Sequence, residues 1–200
     1  MVSKEKTPRF AGSTFWGRPV SGFGDLDGRL LIIGLAPART GALRTGRIFT
    51  GDASSAFLVR ALHEAGFANQ PRSDSIDDGL VYRDCYLTAA VKCAPPGDKP
   101  TPEEFENCAP HMDEEIALMK NLQAVVALGA FAFSAYLGHM ARRGSTVRGL
   151  AFAHGKVYRF SRMPSLYASY HPSPRNTNTG KLTPAMLAAV LDRVKRELTK

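Results

Sequence analysis

LLIIGLAPARTGALRTGRIFTGD, residues 30–52, is the stretch on which the reading of the fold turns. Leu30 to Ile33 form a short, wholly apolar run that suits a buried strand, and Gly34, Pro37, Gly41 and Gly46 cannot continue it. The strand must run into a long bent loop. That loop carries Arg39, Arg44 and Arg47 and closes on Phe49-Thr50-Gly51-Asp52, where Asp52 is placed to cap a helix whose apolar positions are Phe57, Leu58, Ala61 and Leu62. Backbone amides, a helix start and three guanidinium groups then gather at the carboxyl end of a strand, where open α/β sheets place their ligands and where an anion is favoured. No Gly-Lys-Ser/Thr follows and no GxGxxG is present, so the known nucleotide-phosphate loops are excluded.

The pattern repeats downstream. Leu80 to Val91 contains a second buried strand, broken by Lys92-Cys93-Ala94-Pro95-Pro96-Gly97-Asp98-Lys99-Pro100. Thr101 caps the next helix, with Pro102 at its first position and Glu103 and Glu104 in its first turn. Ala124 to Leu128 is a third strand, followed by a helix over Phe131 to Met140 and a basic turn with Arg142, Arg143 and Arg148. Val157 to Phe160, beside His154-Gly155, suits a small ribbon next to a fourth strand, Ser165 to Ser169. That strand ends in Tyr170-His171-Pro172-Ser173-Pro174-Arg175-Asn176, and a last helix covers about Pro184 to Leu198. Strand, loop and helix in this order predict a three-layer α/β/α sandwich around a mostly parallel four-stranded sheet. Residues 1–28 lack either period and read as an irregular lead-in packed on the body formed by 29–200.

Composition narrows the partners. The chain has 200 residues, 44% of them apolar, which suits one domain with a real core. Its 26 basic and 18 acidic residues leave a net charge of +8, which favours a polyanion such as nucleic acid. No apolar run reaches the roughly eighteen residues that cross a bilayer, and MVSKEKTPRF has no hydrophobic signal core, so a cytoplasmic protein is expected. Three cysteines argue against a disulfide framework and leave metal ligation or burial.

Gly34-Leu35-Ala36-Pro37-Ala38, Arg44-Thr45-Gly46-Arg47, Phe49-Thr50-Gly51-Asp52, Cys93-Ala94-Pro95-Pro96 and His171-Pro172-Ser173, in that order at three strand ends, resemble the uracil-DNA glycosylase superfamily, specifically its family 5 branch. The resemblance runs from about Trp16 to the last helix. It implies the uracil-DNA glycosylase-like fold, a monomer, and hydrolysis of the bond between deoxyribose and a deaminated base rotated out of the DNA stack. Phe49 would stack on that base, and Gly34, Ala36, Ala38 and Ala89 would line its pocket. His171 would donate a hydrogen bond to a carbonyl of the leaving base. Asp52 would handle the attacking water or hold the cationic sugar, or act only as the helix cap. Arg39, Arg44, Arg47, Ser173, Arg175 and Asn176 would meet the DNA, with Arg142 and Arg143 as outlying contacts, and Pro172 to Arg175 would supply the minor-groove wedge.

The departures are informative. Leu35, Ala36 and Ala38 place nothing ionisable in the first loop, and Thr88-Ala89-Ala90 stands where strict uracil readers carry an asparagine. Without that amide, hypoxanthine, xanthine and ethenocytosine become candidate substrates beside uracil. The resemblance also implies a [4Fe-4S] cluster on four cysteines. Cys93 and Cys108 match two of them, Cys85 reads as a buried small hydrophobe, and residues 1–28 hold none, so the chain is expected either to be shortened or to have lost the cluster. Two rival readings remain at this point: a module that binds damaged or abasic DNA without turnover, and a small-molecule α/β enzyme acting on free nucleosides or nucleotides.

Overall fold

A computed structural model describes residues 8–145 and 148–200. Its sheet has six strands in the order β1-β3-β2-β4-β6-β5. The four long ones, β2 (Leu30–Gly34), β3 (Cys85–Ala89), β4 (Ala124–Leu128) and β6 (Ser165–Ser169), are parallel to their neighbours and buried along their whole length. They are the four strands that the apolar runs announce. Two additions lie at the edges, where β1 (Phe23–Gly24) and β5 (Val157–Tyr158) pair antiparallel with β3 and β6. Each is two residues long, too short to carry a period.

Side chains alternate across the sheet as a pleat requires. Leu30 and Ile32 of β2, with Val126 and Tyr167, face a core filled by Leu58 and Leu62 of α2 (Ala53–Glu64) and by Leu187 and Leu191 of α6 (Pro184–Leu198). Leu31 and Ile33, with Val125 and Leu166, face Met112 of α3 (Pro102–Leu118) and Phe133 of α4 (Ala130–Arg142). Helices therefore cover both faces. Because the four long strands run the same way, the loops leaving Gly34, Ala89, Leu128 and Ser169 all emerge at one edge of the sheet, which is the edge that carries every motif.

Part of the lead-in is regular. Besides β1, the Trp16 and Gly17 amides donate to the carbonyls of Arg44 and Leu43, and the Val20 amide donates to Lys92, so residues 16–20 are laid across the first loop and the start of the Cys93 loop. The second strand is shorter than its apolar run. Tyr82 forms only an isolated bridge to Ala68, and Asp84 breaks the strand with φ of 56° before Cys85. The basic turn divides in the same way: Arg142 belongs to α4 and pairs with Asp113 of α3, and residues 146 and 147 lie outside the described residues.

Candidate active site

The first loop is shaped from within. Its middle folds into a four-residue helix, α1 (Ala42–Thr45), ended by Gly46 at φ of 84° with the Trp16 ring packed against it. The Ala90 and Val91 amides donate to the carbonyls of Gly34 and Leu35 at 3.0 Å, which extends the β2–β3 ladder into the loop. Phe49 sits at φ of 48°, a conformation that a bulky residue adopts only where its surroundings impose it. Its ring lies over the end of β2, so that a Cβ on Gly34 would fall 2.7 Å from its Cζ. Gly34 is therefore the residue that admits the ring. Ala89 pairs with Gly34 across the ladder, while Ala36 is half-buried and Ala38 exposed on the rim.

Asp52 is a helix cap in full. Its Oδ1 accepts from the Ser55 amide at 2.8 Å, and Ser55 Oγ accepts from the Asp52 amide at 3.0 Å, a reciprocal box that starts α2. A Cβ on Gly41 would collide with the carboxylate, so the loop folds tightly over it. Burial raises the Asp52 carboxyl above its ordinary value, against the opposing hydrogen bonds from Ser55 and Ser54 and the charge of Arg44.

Opposite this loop, the chain leaving β6 turns through His171 into α5 (Pro174–Thr177). Asn176 Nδ2 donates to the His171 carbonyl at 2.8 Å and closes the turn. The imidazole is half-buried, packs at its Cβ against Gly129 and has no hydrogen-bond partner among the described residues. Burial lowers its pKa to about 4, so at neutral pH it is an uncharged ring with one free N–H. By contrast, His63, His139 and His154 each commit Nδ1 to a protein partner, and His111 is exposed on α3. The two halves meet in a cavity of about 380 Å³ lined by Ala38 and Thr40, by Asp52 to Ser54, by Arg44 and Phe10, and by Pro174 from the histidine turn.

Of the arginines expected at DNA, Arg47 is placed elsewhere. It is 4% exposed, and its guanidinium donates to Thr50 Oγ1, Ser73 Oγ and both carboxylate oxygens of Asp78. It is a strut that pins the 73–78 turn under the loop, not a surface contact. Arg44 is drawn inward to the Thr40 and Gly51 carbonyls and under the Phe10 ring, at 4.9 Å from its centroid, yet still lines the cavity. Arg39 is half-buried on the loop and Arg175 is exposed on α5. Asn176 spends its amide on His171 rather than on a ligand, and the Ser173 carbonyl accepts from the Asn176 and Thr177 amides at the start of α5. Sequence reasoning passed over Thr40 and Phe10 as lining residues. Their only signal was proximity in the chain to the loop and to an aromatic-rich lead-in.

Cys93 is exposed and Cys108 half-buried. Burial, with the neighbouring Cys108 and Glu104, pushes the Cys93 thiol up, so the two sulfurs face one region while Cys85 is sealed in the core. Among the described residues no third His, Cys, Asp or Glu joins them in a metal-binding group. A cubane cluster requires four such ligands. The two cysteines that the described residues bring together do not by themselves fit a [4Fe-4S] cluster.

Comparison with known proteins adds independent findings. The model of the uracil DNA glycosylase superfamily matches residues 21–195. The chain is 49% identical over 187 residues to a type-5 uracil-DNA glycosylase of Thermus thermophilus, covering 94% of this chain and 84% of that protein. It is 49% identical over 185 residues to one of Pyrobaculum aerophilum, covering 92% and 79%, and 46% identical over 187 residues to one of Mycobacterium leprae, covering 93% and 81%.

Proposed function

The chain belongs to the uracil DNA glycosylase superfamily, and from that premise we propose that it hydrolyses the bond between uracil and its deoxyribose in DNA, leaving an abasic site. The observation that carries this reading is the cavity of about 380 Å³ in which Ala38, Thr40 and Asp52 of the first loop meet Pro174 of the turn that follows His171. Rotating a nucleotide out of a duplex costs a few kcal/mol, and stacking on the Phe49 ring would return about 1–3 kcal/mol.

Hydrolysis breaks the glycosidic C–N bond with its electron pair leaving on the base. Negative charge then grows on a base carbonyl, and the neutral N–H of His171 would meet it without bringing a proton to lose. Such a donor contributes on the order of 3–4 kcal/mol to a barrier. A neutral imidazole is suited to this, because its pKa of about 4 keeps its protonation unchanged across the physiological range. Water attacks the sugar carbon left electron-poor, and its proton must pass to a base. Asp52 is the carboxylate that lines the cavity, and its second oxygen would accept that proton or balance the sugar cation.

Gly34, Ala36, Ala38 and Ala89, of which Ala38 lines the cavity, supply no side-chain amide to read a pyrimidine edge, which supports acceptance of hypoxanthine, xanthine and ethenocytosine as well. The protein acts as a monomer on this reading. Among the described residues no helix is long and apolar enough to cross a membrane.

A single-turnover assay on a uracil-containing oligonucleotide, developed with alkali, tests the proposal, and a panel of lesion-bearing strands tests its breadth. Abasic product from uracil is expected. Tight binding of the strand with no product would leave a DNA-binding module, and hydrolysis of free nucleosides with no dependence on salt would leave a small-molecule enzyme.

A further inference from the structure

His171 must be aimed by something, because its own ring touches no polar partner. The backbone before and after it is gripped from outside, on the near side at the Ser169–Tyr170 peptide, one residue removed. On the far side Asn176 donates to the His171 carbonyl. On the near side the Tyr170 amide, the first to leave the ladder after β6, donates to Nδ1 of His154 at 3.0 Å. The His154 ring also stacks on the Tyr170 ring, with centroids 4.9 Å apart and planes 12° from parallel.

His154 is itself held. The Gly155 amide donates to the Ala168 carbonyl at 2.8 Å, the Ala168 amide donates back to Lys156 at 3.0 Å, and Arg193 of α6 donates to the Gly155 carbonyl at 2.6 Å. The turn is thereby riveted to β6 and to the helix beneath it. No other described acceptor serves the Tyr170 amide, and an unpaired amide at the mouth of a site lets the following residue rotate.

We propose that His154 is a positioning residue for His171: its Nδ1, by accepting from the Tyr170 amide, sets the backbone from which the reacting imidazole is presented. Accepting through Nδ1 requires that nitrogen to be bare, so the proton of the neutral ring sits on Nε2. Burial lowers the His154 pKa and favours that uncharged form. This inference rests on the glycosylase reading above for its consequence, though not for its geometry.

Two substitutions separate the roles of the ring. His154→Asn keeps an acceptor at the position of Nδ1 and loses the stack; His154→Phe keeps the stack and loses the acceptor. With folding matched by thermal midpoints, His154→Phe is expected to lose at least tenfold in single-turnover rate on the uracil strand, with its half-saturating concentration within threefold of the parent, since a misaimed group costs rate rather than binding. His154→Asn is expected to recover to within threefold of the parent. A merely structural histidine would not give this split or this rescue. In parallel, the His171 ring resonance of the free protein should shift or broaden in His154→Phe and stay parental in His154→Asn. The proposal is overturned if the Phe variant keeps the parental rate, if Asn is no better than Phe, or if the His171 resonance is the same in all three. Should the parent release no uracil, the glycosylase reading fails while the resonance still decides the positioning role.

Discussion

The two loops that face each other across the cavity are built on opposite plans. In the first, the charged side chains that shape it are already committed within the protein: Asp52 to the helix it caps, Arg44 to the loop carbonyls, Arg47 to Thr50, Ser73 and Asp78. In the second, the backbone is held by Asn176 and His154 while the imidazole between them has no protein partner. A loop whose polar groups are already paired makes a rigid cradle; a donor left unpaired in a half-buried place is available to a ligand. Stability and chemistry are thus divided between the two sides of one cleft, and substitutions should divide in the same way.

The largest effect is expected on the cradle. Removing the Arg47 side chain strands Asp78 in the 73–78 turn. Burial works to raise the Asp78 carboxyl, and Arg47 with the Leu80, Asp74 and Ser75 amides holds it below the ordinary range instead. Breaking one partner of a buried pair typically costs about 3–5 kcal/mol. Arg47→Ala should therefore lose most of its folded population in urea titration. An Arg47→Ala protein of parental stability but weakened DNA binding would show instead that Arg47 reaches the DNA.

On the other side the order reverses. His171→Ala should keep its stability and lose about 10²–10³-fold in single-turnover rate, the equivalent of about 3–4 kcal/mol for one donor. A rate within a factor of a few of the parent would remove His171 from the chemistry. The same imidazole predicts an acid signature. Its pKa is 6.5 when exposed and about 4 in the fold, so between those values the unfolded chain binds a proton that the folded chain refuses. Stability contributed by the neutral ring is full above pH 6.5 and is lost as pH falls toward 4, by up to about 3 kcal/mol. His171→Gln removes this term, so the stability difference between parent and variant should shrink or invert over that window in denaturant titrations at fixed salt.

How much of this contrast is legible in the amino-acid order follows from how local each interaction is. Parallel strands buried on both faces appear as unbroken apolar runs, so β2, β4 and β6 stand out, and the Asp52 cap follows from its place three residues before Ser55. The edge strands and α1 are two to four residues long and carry no period. Arg47 looked like a surface cation because its partners, Ser73 and Asp78, lie 26 and 31 residues on, in a turn marked only by polarity. The acceptor role of His154 was equally hidden, since it depends on a ribbon folding back onto the end of β6. The motif residues could be picked out one by one. Asp52 aside, which of them were already committed to holding the fold could not.

Asp52 is where the two plans overlap, and the smallest expected effect is the most discriminating. As a cap it needs only an oxygen that accepts from Ser55, which an amide retains, so Asp52→Asn should cost no more than about 1 kcal/mol of stability. As a proton acceptor or a counter-charge it needs the ionised carboxylate, which an amide cannot supply. Burial already raises its pKa, so the carboxylate is held less readily than a surface one and is a better base for it. A folded Asp52→Asn protein with a strongly reduced rate would therefore place a reacting group inside the cradle and end the clean division between the two loops. Full rate in that variant would confine Asp52 to its helix and leave the histidine turn as the sole source of the chemistry.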